Sequence, residues 1–243
     1  MVASVLLAAA CLVLPVSSSA ESFDFRVDWR FWHAGDIRLI YPPSGQGSGA
    51  TREAEVSLKT RGFVDSLYSV DNRYTVTFDQ GFCALSSLFR VHEGEKRRRI
   101  SVTYQHPSGE VSYLERDLAA GRTVLRKTIR VPGCVQDELA ALARLRAMEL
   151  QPGDTVELPV SNGKKFVRAR VEVQARETVT TPAGKFDALR YEAFLFNNVL
   201  YRRKGQLHFW LTDDERRLPV QFRVRLNFYF GTIMLRLVKE DPQ

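Results

Sequence analysis

Cys83 and Cys134, the histidines His33, His92, His106 and His208, and the acidic cluster Asp213-Asp214-Glu215 are the residues of this 243-residue chain whose types invite chemistry. A thiolate beside an imidazole would make a nucleophile and its base, so Cys83 or Cys134 with His208 is one pairing to weigh. Against it stands a disulfide between the two cysteines, which would close a loop of about 50 residues and stabilise the fold by roughly 4 kcal/mol through the entropy removed from the unfolded chain. Their separation in space decides between bonded and free thiols, and the sequence leaves both open. The four histidines have no metal-ligand spacing, and the chain contains no G-x-S-x-G, no H-E-x-x-H, no paired C-x-x-C and no Gly-rich phosphate loop. No metal, cofactor or catalytic residue is therefore expected, and an envelope hydrolase ranks behind the non-catalytic readings.

The Asp213, Asp214, Glu215 oxygens suit a hard cation. Arg216 and Arg217 follow at once and would neutralise such a site, so a salt-bridged turn leading into Leu218-Pro219 is the stronger expectation. Trp210, just before this block, is either an anchor for a glycan or lipid tail or a core residue. Arg168 with Arg170 and Arg223 with Arg225 alternate with apolar neighbours. They form either a solvated exterior or the lining of a cleft for an anionic headgroup.

Positioning these residues requires one helix and many strands. Cys134 to Leu150 is the stretch that reads at helical period, with Asp137 as N-cap. At about 100° per residue, Val135, Leu139, Leu142, Ala143 and Leu145 share an apolar sector, and Arg146 falls inside it. A buried guanidinium needs partners, so Arg146 is expected to meet a backbone carbonyl or a carboxylate, with Glu149, Glu138 and the Asp213 block as candidates. It serves either as an ion pair fixing helix to sheet or as a clamp on a ligand headgroup. Together Arg146, Trp210, Asp213 and Asp214 make up the candidate binding set.

Elsewhere the pattern has period two. Phe23, Phe25, Val27, Trp29 and Phe31 alternate with charged residues, and similar runs recur to Ile233, Leu235 and Leu237, separated by turns such as Asn162-Gly163. Gly62 to Val70 reads as one of these strands, and the Pro/Gly/Ser-rich stretch 42–49 as a loop. Many short strands without a βαβ rhythm predict a mainly β fold, a curved antiparallel sheet or open calycin-like barrel with one central helix; a β-sandwich is the runner-up.

Residues 1–20 carry no charge and an apolar run too short to span a bilayer, which reads as a signal peptide cleaved between Ala20 and Glu21. Residues 21–243 then form a single domain, exported to the periplasm and without a transmembrane segment. A formal charge of +7 and a pI near 9.5 favour an anionic partner such as a lipid headgroup or acidic glycan, with no nucleic-acid partner expected.

Cys134, Gln136, Asp137, Leu139, Leu142 and Leu145-Arg146, then Gly153, Gly184-Lys185-Phe186, Trp210-Leu211-Thr212-Asp213-Asp214 and Arg217-Leu218-Pro219-Val220 together resemble an exported bacterial family, domain of unknown function 3108. Members usually have serine where this chain has Ala140. The resemblance implies an envelope protein and carries over no activity. Two readings follow: a binding or carrier module for an amphipathic or anionic ligand held between sheet and helix, or a structural or assembly protein of the envelope with a packed core and a protein partner.

Overall fold

The computed structural model describes residues 20–30, 32–42, 51–226 and 231–242. Residues 1–19, Phe31, 43–50, 227–230 and Gln243 lie outside them, and with them nearly all of the expected signal peptide and of the expected loop at 42–49.

Among the described residues, fourteen strands form one antiparallel sheet. The first eight are β1 (Glu21–Trp29), β2 (Trp32–Tyr41), β3 (Thr51–Thr60), β4 (Asp71–Asp79), β5 (Ala84–Glu93), β6 (Lys96–Gln105), β7 (Glu110–Asp117) and β8 (Arg122–Arg130). After the helix α2 (Glu138–Arg146) come β9 (Thr155–Ser161), β10 (Phe166–Thr181), β11 (Gly184–Ala193), β12 (Gly205–Thr212), β13 (Pro219–Leu226) and β14 (Thr232–Pro242). The chain begins at the middle of the sheet, walks outward to β8, crosses by way of α2 to the far edge at β9, and walks back until β14 pairs with β1. The expected curved sheet with a central helix is thus the observed architecture, without the second sheet a sandwich requires.

Alternation builds the inner face. Phe23 and Phe25 of β1, Leu39 of β2, Val102 and Tyr104 of β6 and Val111 and Tyr113 of β7 are buried in one cluster, and Val171, Val173, Tyr191 and Phe209 of β10 to β12 in another. Register shifts leave an extra residue in β14 (Val238), β5 (Leu85), β8 (Val124), β13 (Val220) and β10 (Gln174), and such residues bend the strands that carry them. One of them, between Val173 and Ala175, lets β10 run unbroken from Phe166 to Thr181.

Beta-ladder bonds do not join β8 to β9. The β9–β10 turn instead tucks inside the curl: Tyr104 donates its hydroxyl to Ser161 O at 2.9 Å, and Lys127 Nζ donates to Lys164 O at 2.8 Å. Gly163 has φ +81°, and a Cβ there would lie 2.8 Å from the Val102 methyl carbons. Only glycine fits that approach. The segment before α2 covers the β9 edge, with Gln136 N–H donating to Pro159 O and Ser161 N–H to Gln136 O.

One expected strand is a helix. Residues Gly62–Leu67 form α1, which buries none of its side chains and leaves Phe63 and Leu67 exposed. Phe63, Val64 and Leu67 are too few to distinguish period two from period 3.6. Local bonds decide the matter: Asp65 N–H donates to Arg61 O, Tyr68 N–H to Val64 O, and the Thr60 hydroxyl to Asp65 Oδ1.

Candidate functional site

Helix α2 is shorter than the sequence pattern suggests and is apolar on two sides for a structural reason. Leu139, Leu142 and Ala143 pack against the first cluster, while Ala141 and Leu145 belong to the second. A helix wedged between two apolar surfaces needs no polar face. Its N-terminus is fixed by Asp137, which is fully buried: Oδ1 accepts from Ala140 N–H at 2.8 Å and Oδ2 from the Tyr74 hydroxyl at 2.6 Å. Those bonds favour the carboxylate, but burial and the neighbouring Glu138 outweigh them and push Asp137 up to about 7.

The helix start divides a hollow interior. On one side is a cavity of about 450 Å³ whose walls include Ile37, Val56, Leu58, Phe89 and Ile100. On the other is a chamber of about 190 Å³ lined by Leu145, Leu158, Val171 and Phe209. Glu138 and Leu139 line both. The larger volume falls within the roughly 300–1,000 Å³ typical of small-molecule sites. Its polar lining comes from Asn72, Ser87, Tyr74, Asn162, Lys164, Glu138 and Tyr201. The Tyr201 hydroxyl, from the β11–β12 connection, donates to Glu138 Oε1 at 2.5 Å, while burial raises the Glu138 pKa. Asn72 is spent on Glu93 and on His92 N–H.

Arg146 lies where the helical period puts it, with its side chain 8% exposed. Its acidic partner is none of the three expected. Arg146 Nη2 donates to Glu21 Oε2 at 2.6 Å, and the guanidinium also reaches Arg217 O at 3.0 Å and Arg216 O at 3.2 Å, over the rings of Phe23 and Tyr41. Glu138 has turned to Tyr201, Glu149 approaches Arg217 at 3.9 Å, and Asp213 pairs with Arg176. The helical wheel locates the arginine but is blind to Glu21, 125 positions away.

The remaining residues of the candidate set sit apart from the cavity. Phe209 and Leu211 face α2, so their neighbours His208 and Trp210 point to the opposite face of β12. Trp210 is buried there beneath Arg223 and donates Nε1–H to Glu177 at 2.6 Å. The arginine pairs at 168/170 and 223/225 therefore flank an outer face. Asp214 organises a turn, its Oδ1 accepting from the Thr212 hydroxyl and from the Arg216 and Arg217 amides. Among the described residues no group of three or more His, Cys, Asp or Glu is placed to hold a metal ion. Cys83 and Cys134 are disulfide-bonded with Cα atoms 5.1 Å apart, which removes both from the pairing with His208. Glu138, Lys164 and Tyr201 escape the sequence reading because the first looks like a partner for Arg146, the second like part of a turn, and the third like a residue in a connection.

The strand order and the interior helix define a β-barrel-like protein. A solved structure from Brucella abortus, described as a beta-barrel-like protein of domain of unknown function DUF1849, superposes with a TM-score of 0.60 at 12% identity, covering 93% of this chain and 98% of that one. The chain belongs to the family described as Protein of unknown function (DUF3108), which matches residues 24–238. A Bacteroides fragilis protein with YmcC-like fold is 13% identical over 91% of this chain and 95% of that one, with a TM-score of 0.34. No curated protein matches. Among the described residues no helix is long and apolar enough to cross a membrane.

The Asp137 shift has a testable sign. The ordinary value is 3.8 and the folded value about 7, so folding favours the neutral acid. Stability from this group is fully present below about pH 3.8 and is lost as pH rises through about 7. Asp137→Asn keeps a capping oxygen without an ionisable proton. Urea midpoints measured between pH 4 and 8 should fall with pH in the wild type more steeply than in the variant; parallel curves would contradict the assignment.

Proposed function

We propose that the chain is a non-catalytic binding or carrier module of the periplasm, holding an amphipathic molecule with its apolar part in the cavity between β2–β7 and α2. The observation that carries this reading is the cavity of about 450 Å³, walled by aliphatic and aromatic side chains and fringed by polar groups. Burial of a hydrocarbon chain there would contribute about 0.8 kcal/mol for each methylene removed from water. An envelope assembly protein with a packed core is the weaker reading, because nothing about such a role calls for an open apolar interior.

Ile100, partly buried on the cavity wall, supplies the test. Organic extraction of the purified protein followed by mass spectrometry should recover an amphiphile from the wild type. The yield should drop at least about tenfold in Ile100→Trp, whose indole would occupy the volume, with little change in melting temperature. Recovery of nothing from the wild type, together with no saturable binding of dodecanol by calorimetry, would sink the proposal.

A further inference from the structure

The lining of the cavity carries its charges unevenly. Its lining holds one acidic and one basic side chain, Glu138 and Lys164, and they are differently engaged. Glu138 is held by the Tyr201 hydroxyl inside the molecule. Lys164 is exposed and forms no ion pair among the described residues. Its ammonium lies 5.1 Å over the ring of Tyr113, a residue of the same cavity wall. The cation thus stands at the edge of an apolar volume, where a ligand's polar end would be left in contact with water.

The backbone beneath this lysine is anchored. Asn162 Oδ1 accepts from the amides of Lys164 and Lys165, Gly163 N–H donates to Ser161 Oγ, and Gly163 is seated against Val102. Lys127 brings a second ammonium to the same turn through its bond to Lys164 O. Lys165, on the far side, binds the carbonyls of Asn198 and Val199 in the connection that carries Tyr201. An anion placed beside Lys164 would therefore meet a pre-positioned positive site, and among the described residues the ammonium has no carboxylate to give up.

Resting on the cavity reading above, we propose that Lys164 is the headgroup residue and that the ligand is a single-chain amphiphile ending in a carboxylate or a phosphate monoester. The chain lies along Val56, Leu58, Phe89 and Ile100, and the anionic head sits at the mouth against Lys164, with Lys127 close behind. A cationic amphiphile would bring its charge to the same lysines and is rejected.

Three ligands with one tail test this on the full chain: dodecanoate, dodecyl phosphate and dodecanol, titrated calorimetrically below their aggregation concentrations. Both anions should bind at least about tenfold tighter than the alcohol, as expected for a charge-assisted hydrogen bond, and added salt should narrow the gap. The tighter of the two anions identifies the head chemistry. Lys164→Met keeps the stem and removes the charge; it should bring the anions down to the affinity of dodecanol while leaving dodecanol unchanged, and Lys164→Arg should restore the preference. Dodecanol binding as tightly as the anions, or Lys164→Met weakening all three equally, would overturn the assignment of Lys164 but leave the cavity reading standing. Absence of binding by all three would defeat both.

Discussion

Replacing Arg146 with methionine is expected to lower the stability of the folded chain by about 3–5 kcal/mol, the range for removing one member of a buried, hydrogen-bonded ion pair. Methionine retains a flexible stem to lie over Phe23 and Tyr41, so the loss reports the guanidinium and not the packing. What is left behind sets the size of the effect. Glu21, with its side chain 16% exposed, loses the Arg146 guanidinium, and the carbonyls of Arg216 and Arg217 each lose a donor. These groups belong to β1 and to the β12–β13 turn, so the arginine ties the helix C-terminus to both. Glu21→Gln should cost less, because an amide oxygen still accepts from the guanidinium and the two carbonyl bonds remain. Combining the substitutions should cost clearly less than the sum of the two, since both remove the same Arg146–Glu21 contact. Urea unfolding with an unchanged slope is the measurement. An Arg146→Met midpoint equal to wild type would mean that the arginine is free for another role, the ligand clamp being the one its position suggests.

Strand alternation was legible because β1, β7 and β10 each bury one face against the interior and leave the other to water or to salt-bridged side chains, which is the condition under which period two survives in sequence. It failed at α1, where nothing is buried and the pattern therefore has nothing to report. Arg146 was legible as an anomaly for the converse reason: it shares its helix sector with Leu139, Leu142 and Leu145, which pack against the interior, so a cation there stands out. Its partner was not legible, because Glu21 reaches it only through the pairing that brings the two chain ends to the middle of the sheet. The cavity was invisible for a different reason. Ile37, Val56 and Ile100 are the same residue types at the same period as Leu39, Val76 and Val102, and whether such a side chain meets a neighbour or a void depends on how far the sheet curls. Lys164 was hidden in the same way, since an Asn-Gly-Lys-Lys turn reads as solvated until Gly163 is seen seated against Val102.

Breaking the disulfide should destabilise the chain by about 4 kcal/mol, the loop-closure estimate for a crosslink spanning 51 positions, a large part of the roughly 5–15 kcal/mol available to a typical domain. Cys83 lies in the β4–β5 turn and Cys134 in the segment that leads to α2, so the bond joins the end of the curled sheet to the start of its plug. The native contacts around it are largely independent of the sulfur atoms: Ala84 N–H donates to Val135 O at 2.8 Å, and the His106 ring reaches both Ala84 O at 2.6 Å and Gly133 O at 3.2 Å. The reduced protein should therefore keep its fold, the cost residing mainly in an unfolded chain released from its 51-residue constraint. Two observations separate this from a local structural loss. The urea slope of a Cys83→Ser, Cys134→Ser variant should exceed that of the oxidised protein, because an uncrosslinked unfolded chain exposes more surface. Dodecanol affinity should be unchanged in the same variant, because neither cysteine lines the cavity. A variant that loses ligand binding while still folded would instead place the disulfide among the contacts that hold α2 at the height where Glu138 and Leu139 divide the interior.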